Sequence, residues 1–236
     1  MVDVSKKSLV DEAYEKIRQK ICDFEMLPGQ SISDFKLCKE LNMSRTPIRQ
    51  ALQKIEDDGL IRHDGMGTGY TVCDITPEEI VDLFDARISI ELNCIELAFK
   101  RGILKEDITS LIYFNEKMNE ANLKDKMKQQ FLYDQKFHDK LVYLSHNTRL
   151  IKFNDSLLLQ FNRMRVLSYL ERSYQQKAYD DHSCIIKHIQ EYELDYVLKA
   201  LREHIESTKA NYISLLKDKE KMESFGVLSI LMKSGS

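Results

Sequence analysis

Apolar positions along the chain recur mostly three and four residues apart, the period of a helix with one buried face. Leu9, Ala13, Ile17 and Ile21 set this pattern over Leu9 to Phe24, and Met26-Leu27-Pro28-Gly29 stops it. A short helix follows at about Asp34 to Leu41, with Ser33 as its cap. Asn42-Met43 turns the chain. Ser44 caps a third helix that Arg45-Thr46-Pro47 opens and Asp57-Asp58-Gly59 closes. The period then shortens. Leu60-Ile61-Arg62-His63 and Tyr70-Thr71-Val72-Cys73 flank Asp64-Gly65-Met66-Gly67-Thr68-Gly69, the signature of a β-hairpin.

After Asp74-Ile75 the helical period returns and holds. Thr76-Pro77-Glu78-Glu79 reads as a helix start, with Thr76 at the cap, Pro77 in the first position and Glu79 closing a capping box. Six long helices are expected, at about 77–101, 105–121, 127–145, 148–170, 178–191 and 193–217. Leu83, Ile90 and Leu97 mark the first of them, and Leu194, Val197, Leu201 and Ile205 the last. The fold class is therefore mainly α. A winged helix-turn-helix domain spans 1–75 and an all-α antiparallel bundle spans 76–236, with its core at 78–217.

Composition narrows the class further. Eight glycines and three prolines in 236 residues are few, and charged residues make up 31%; this suits helices and disfavours a sandwich or a disordered chain. No apolar run approaches the roughly 18 residues of a membrane span, and Met1 to Val10 has no secretory core. The five cysteines, at 22, 38, 73, 94 and 184, form no CxxC pair. An odd number so widely spaced fits a reducing, cytoplasmic setting.

A net charge of −3 does not announce a nucleic-acid partner, but the placement of cations does. Arg45 and Arg49 lie one turn apart at the start of the third helix, beside Thr46, while Glu56-Asp57-Asp58 crowd its far end. The first turn of a recognition helix is where side chains reach base edges in the major groove. Arg offers guanine two hydrogen bonds, Thr can touch a thymine methyl or a phosphate, and the helix amides attract phosphate.

Ser44-Arg45-Thr46-Pro47-Ile48-Arg49-Gln50-Ala51-Leu52, with Leu60-Ile61 and Gly67-Thr68-Gly69-Tyr70-Thr71-Val72, closely resembles the DNA-binding domain of GntR-type transcriptional regulators. The likeness runs from Leu9 to Cys73. It implies DNA contacts from Ser44, Arg45, Thr46, Arg49 and Gly67. One departure stands at Ser33-Asp34-Phe35-Lys36, where the family often has an acidic residue followed by Arg. Phe35 cannot take a phosphate, so Lys36 is the candidate in its place.

In the second region Asp134 and His138 are four apart on one helix face, between Phe131 and Leu141. An Asp with neutral imidazoles suits a divalent transition ion; alone, the pair could as well be a helical hydrogen bond. His182 opens a later helix and His204 borders the apolar stripe of the last. His63 falls in the wing, His146 in a turn, and His188 faces away from His182.

This region, from about 78 to 217, resembles the FCD effector-binding domain. The marks are Leu83-Phe84-Asp85-Ala86-Arg87-Ile88-Ser89-Ile90-Glu91, the Asp134/His138 pair, His182 and His204. In many members an Asp and three His hold a metal, and the resemblance carries those roles to Asp134, His138, His182 and His204. It implies a divalent cofactor, zinc first, with nickel or manganese as alternatives. It also argues against a fatty-acyl-CoA effector.

Three neutral His and one carboxylate leave a divalent ion with a formal charge of +1 and open positions. A small carboxylate could fill them, with Arg87 as a second anion contact and Glu91 as the alternative partner of Arg87. The expected protein is a homodimeric regulator, repression being the commoner behaviour in the family. It would bind a pseudo-palindromic double-stranded operator and respond to a small organic acid, with no membrane partner. Two alternatives remain: a regulator for which the ion is itself the signal, and a metal-dependent hydrolase, for which no HExxH-type base is found.

Overall fold

The computed structural model describes residues 8–23, 25–63, 69–164, 167 and 173–218. Contacts divide the chain between Ile75 and Thr76.

In the first unit, helix α1 (Leu9–Cys22) starts at Ser8, whose hydroxyl accepts from the Asp11 amide. It buries Ala13, Ile17 and Ile21 against α3. Leu9, at the start of the same stripe, is 60% exposed. Helix α2 (Asp34–Leu41) is capped by Ser33 as expected, and Asn42 ends it in the left-handed region at φ 53°. Asn tolerates that conformation better than most residues, so it makes the sharp turn of the motif.

Helix α3 (Arg45–Asp57) follows and buries Ile48, Ala51, Leu52 and Ile55. Each such side chain removed from water stabilises the domain by roughly 1.5–3 kcal/mol, less for alanine. Ser44 occupies the cap position, but its side chain makes no capping hydrogen bond.

The hairpin forms from β2 (Ile61–His63) and β3 (Tyr70–Val72), with Arg62 opposite Thr71. A strand not foreseen in the sequence, β1 (Ser31–Ile32), pairs antiparallel with the other edge of β3. Two residues carry too little periodicity to be recognised. Gly67 and the wing tip lie outside the described residues.

The second unit is helical: α4 (Pro77–Arg101), α5 (Lys105–Leu123), α6 (Met127–Tyr143), α7 (Thr148–Met164), α8 (Ser173–Gln190) and α9 (Leu194–Lys217). Helix α4 packs against α6, α7 and α9, and α8 lies between α5 and α9. Helix α8 begins at Ser173, earlier than the expected start at 178, and so contains Tyr174. Positions 165, 166 and 168–172, Arg165 and Tyr169 among them, lie outside the described residues, as does the tail from 219.

Thr76 caps α4 by accepting from the Glu79 amide at 3.2 Å. The capping box is only half made, because the Glu79 carboxylate pairs with the fully buried Arg163 of α7 instead. A buried guanidinium without a carboxylate would be costly, so Arg163 wins the competition for Glu79.

Candidate metal centre and nucleic-acid interface

In the bundle, three helices aim one histidine each at a common point. His138 of α6, His182 of α8 and His204 of α9 are all buried. Their Nε2 atoms form a near-equilateral triangle, with sides of 3.2 Å (His138–His182), 3.3 Å (His182–His204) and 3.3 Å (His138–His204). A tetrahedral ion with bonds of about 2.0–2.1 Å sets neighbouring ligand atoms about 3.3–3.4 Å apart. The triangle has that edge length.

The outer nitrogens decide what the inner ones can be. His138 Nδ1 lies 2.8 Å from Glu91 Oε2, and His204 Nδ1 lies 3.1 Å from Asp181 Oδ2. A carboxylate accepts, so in the neutral ring each Nδ1 carries the proton and each Nε2 is left as a lone pair. Two lone pairs therefore face each other 3.3 Å apart, an arrangement that a cation between them would relieve. Carboxylate support of the far nitrogen is the usual way a metal-binding imidazole is oriented. His182 is held by stacking on Phe137, with ring centroids 3.9 Å apart. Its Nδ1 is buried and has no hydrogen-bond partner among the described residues.

The electrostatics agree. Burial, then the two neighbouring histidines, push the His182 pKa well below 6.5, so it is neutral near pH 7. Burial and Arg87 likewise lower His138. Burial alone would raise the Glu91 carboxyl, yet His138 and Arg87 hold it at about 2.

Asp134 stands one step back from the triangle. It is partly exposed, with Oδ1 3.8 Å from His182 Nε2. Arg87 on α4 is largely but not fully enclosed, its side chain 13% exposed, and it donates from Nε to Glu91 Oε1 at 2.6 Å. Glu91 thus joins Arg87 to His138, one oxygen to each. Two small cavities, about 40 and 70 Å³, adjoin Arg87, Asp134, His138 and Tyr212. The larger also touches His204, Gln130, Gln175 and Asn211.

Sequence reasoning paired Glu91 with Arg87 but missed its hold on His138, and it missed Asp181 altogether. Asp181 adjoins His182 in the chain yet serves His204, 23 residues on, a pairing that only the approach of α8 to α9 creates. The other histidines lie elsewhere: His63 on β2, His146 in a left-handed turn, and His188 paired with Glu193 at 2.7 Å.

In the first unit, Lys36, Ser44, Arg45, Thr46 and Arg49 are all exposed. Arg45, Thr46 and Arg49 project from the first turns of α3, whose leading amides have no side-chain cap. Arg49 Nε donates to Asp34 Oδ2 of α2 at 3.1 Å. Phe35 is exposed and carries Lys39 over its ring, 4.4 Å from the centroid.

Residues 9–69 match "Bacterial regulatory proteins, gntR family", and residues 82–207, just over half of the chain, match "FCD domain". The chain belongs to the GntR family, in its FCD-containing branch. It is a DNA-binding transcriptional regulator, and not an enzyme.

An uncharacterized HTH-type transcriptional regulator of Bacillus subtilis (strain 168) is 27% identical over 157 residues, 66% of this chain and 69% of its own length. The gluconate operon transcriptional repressor of Bacillus licheniformis is 27% identical over 200 residues, 82% of this chain and 81% of its own. In fold, the chain is similar to the E. coli McbR/YncC structure, with a TM-score of 0.73 at 16% identity, covering 89% of this chain and 99% of that one. No helix among the described residues is long and apolar enough to cross a membrane.

Proposed function

We propose that this GntR-family regulator is a homodimeric repressor whose affinity for a pseudo-palindromic operator is set by a small carboxylic acid bound at a divalent-metal site. The observation that carries the metal is the triangle of Nε2 atoms, two of them bared by carboxylates on the far side of their rings. His138, His182 and His204 would hold the ion, with Asp134 as the fourth ligand after a small side-chain shift. Zinc suits three imidazoles and a carboxylate best; nickel and manganese also accept them. The ion would supply a positive centre with an open position.

The cavities beside Arg87 favour an organic acid over the ion alone as the signal. A carboxylate entering there meets a largely enclosed guanidinium and the ion together, and both attract it. Repression is supported by the repressor from Bacillus licheniformis, which this chain matches over four-fifths of its length. The dimer follows from reach. One recognition helix reads only a few base pairs, so specificity calls for two half-sites and two copies. An acid regulates only if it binds one arrangement of those copies better than another.

The test is a thermal melt of chelator-stripped protein with Zn²⁺, Ni²⁺ or Mn²⁺, then with acetate, lactate, citrate and gluconate. A ligand at 100 times its dissociation constant adds about 2.7 kcal/mol to the native state. The reading expects stabilisation by metal, and more from one acid only when metal is present. Stabilisation by metal with no response to any acid points to the ion as signal. No response to either removes the site.

A further inference from the structure

The ion pair between Arg49 and Asp34 is out of place on simple electrostatic grounds. Both residues lie on the exposed tip formed by α2 and α3, the part of the domain meant for a polyanion. A carboxylate there repels phosphate. The pair is half exposed on its Arg49 side, so it adds little to folding. Asp34 itself is well sheltered, its side chain only 17% exposed, at the start of α2 where Ser33 caps the helix and Leu37 anchors it in the core.

The geometry of the bond is specific. Asp34 takes the Nε hydrogen of Arg49, and neither Nη is hydrogen-bonded to a described residue. A guanidinium held by its Nε still offers the two Nη groups as a fork. Guanine O6 and N7 present a matching pair of acceptors in the major groove. A free arginine loses several rotatable bonds when it binds, whereas a braced one has already lost some of that freedom.

We propose that Asp34 is a positioning residue that braces Arg49 for reading guanine. The proposal rests on Arg49 being a base-reading residue, and the experiment separates the two.

The full-length protein would first select a high-affinity duplex from a randomised pool. Fluorescence anisotropy then compares that duplex, its single-base variants and a random duplex, for wild type, Asp34→Ala, Asp34→Glu, Arg49→Ala and the Asp34→Ala/Arg49→Ala double variant. Positioning expects Asp34→Ala to lower the ratio of specific to random affinity by roughly ten-fold or more. The loss should fall at the same guanine that Arg49→Ala relaxes, the double variant should be no worse than Arg49→Ala, and Asp34→Glu should recover part of the ratio.

Tighter binding to both duplexes with the ratio intact would overturn the proposal and make Asp34 a mere competitor for Arg49. An intact ratio in Arg49→Ala would remove Arg49 from base reading, and the proposal with it. Because the pair is half exposed on its Arg49 side and adds little to folding, melting temperatures should shift by at most a few degrees in every variant.

Discussion

Single side chains at the metal site differ in what their loss should do. His204→Ala removes one corner of the triangle and leaves a small buried space. It should abolish tight metal binding while the helical circular-dichroism signal survives; full metal content after dialysis would exclude His204. Glu91→Gln is subtler. Glutamine fills the same volume and still offers one oxygen, but it no longer bears the charge that both Arg87 and His138 rely on. Loss of such outer support weakens metal binding about 10–100-fold. Competition against a chelator would measure it, and an unchanged affinity would make Glu91 a partner of Arg87 alone. In the other domain, Arg49→Ala should cost about 1–3 kcal/mol of operator binding and relax one base position, read by the same anisotropy series.

At the scale of elements, α4 does most to organise the second domain. It starts at the Thr76 cap, buries Ile80, Leu83, Phe84, Ile88, Ile95 and Ala98, and holds Arg87 and Glu91 one turn apart behind the histidines. Thr76→Ala removes the cap and should cost about 1 kcal/mol, seen as a melting temperature lower by about 2–4 °C; no change would mean that water satisfies the Glu79 amide as well as the hydroxyl does. The starts of α2 and α4 were legible because a capping residue acts within one turn. The start of α8 and the strand β1 were not. The first depends on packing against α5 and α9, and the second is two residues long and exists only because β3 offers it an edge.

For the whole molecule, the proposed mode of action requires two copies. Sedimentation velocity at micromolar concentration should give a dimer of the 27.7 kDa chain; a monomer that still binds its selected duplex tightly would refute the two-half-site reading.

Local order supplied much of this protein's description. The change of hydrophobic period after Ile75, the Gly-rich loop, and the run from Ser44 to Leu52 are local patterns, and they determined the helix-turn-helix, the hairpin, the helical second domain and the family. The residue types at 134, 138, 182 and 204 were likewise on the chain to be read. That three of those side chains meet at 3.2–3.3 Å, with Glu91 and Asp181 baring two of their nitrogens and Asp134 a step away, was decided by tertiary structure. The reason is physical: a helix's own period tells which face is buried, but the residue waiting across that face belongs to another helix, far away in sequence.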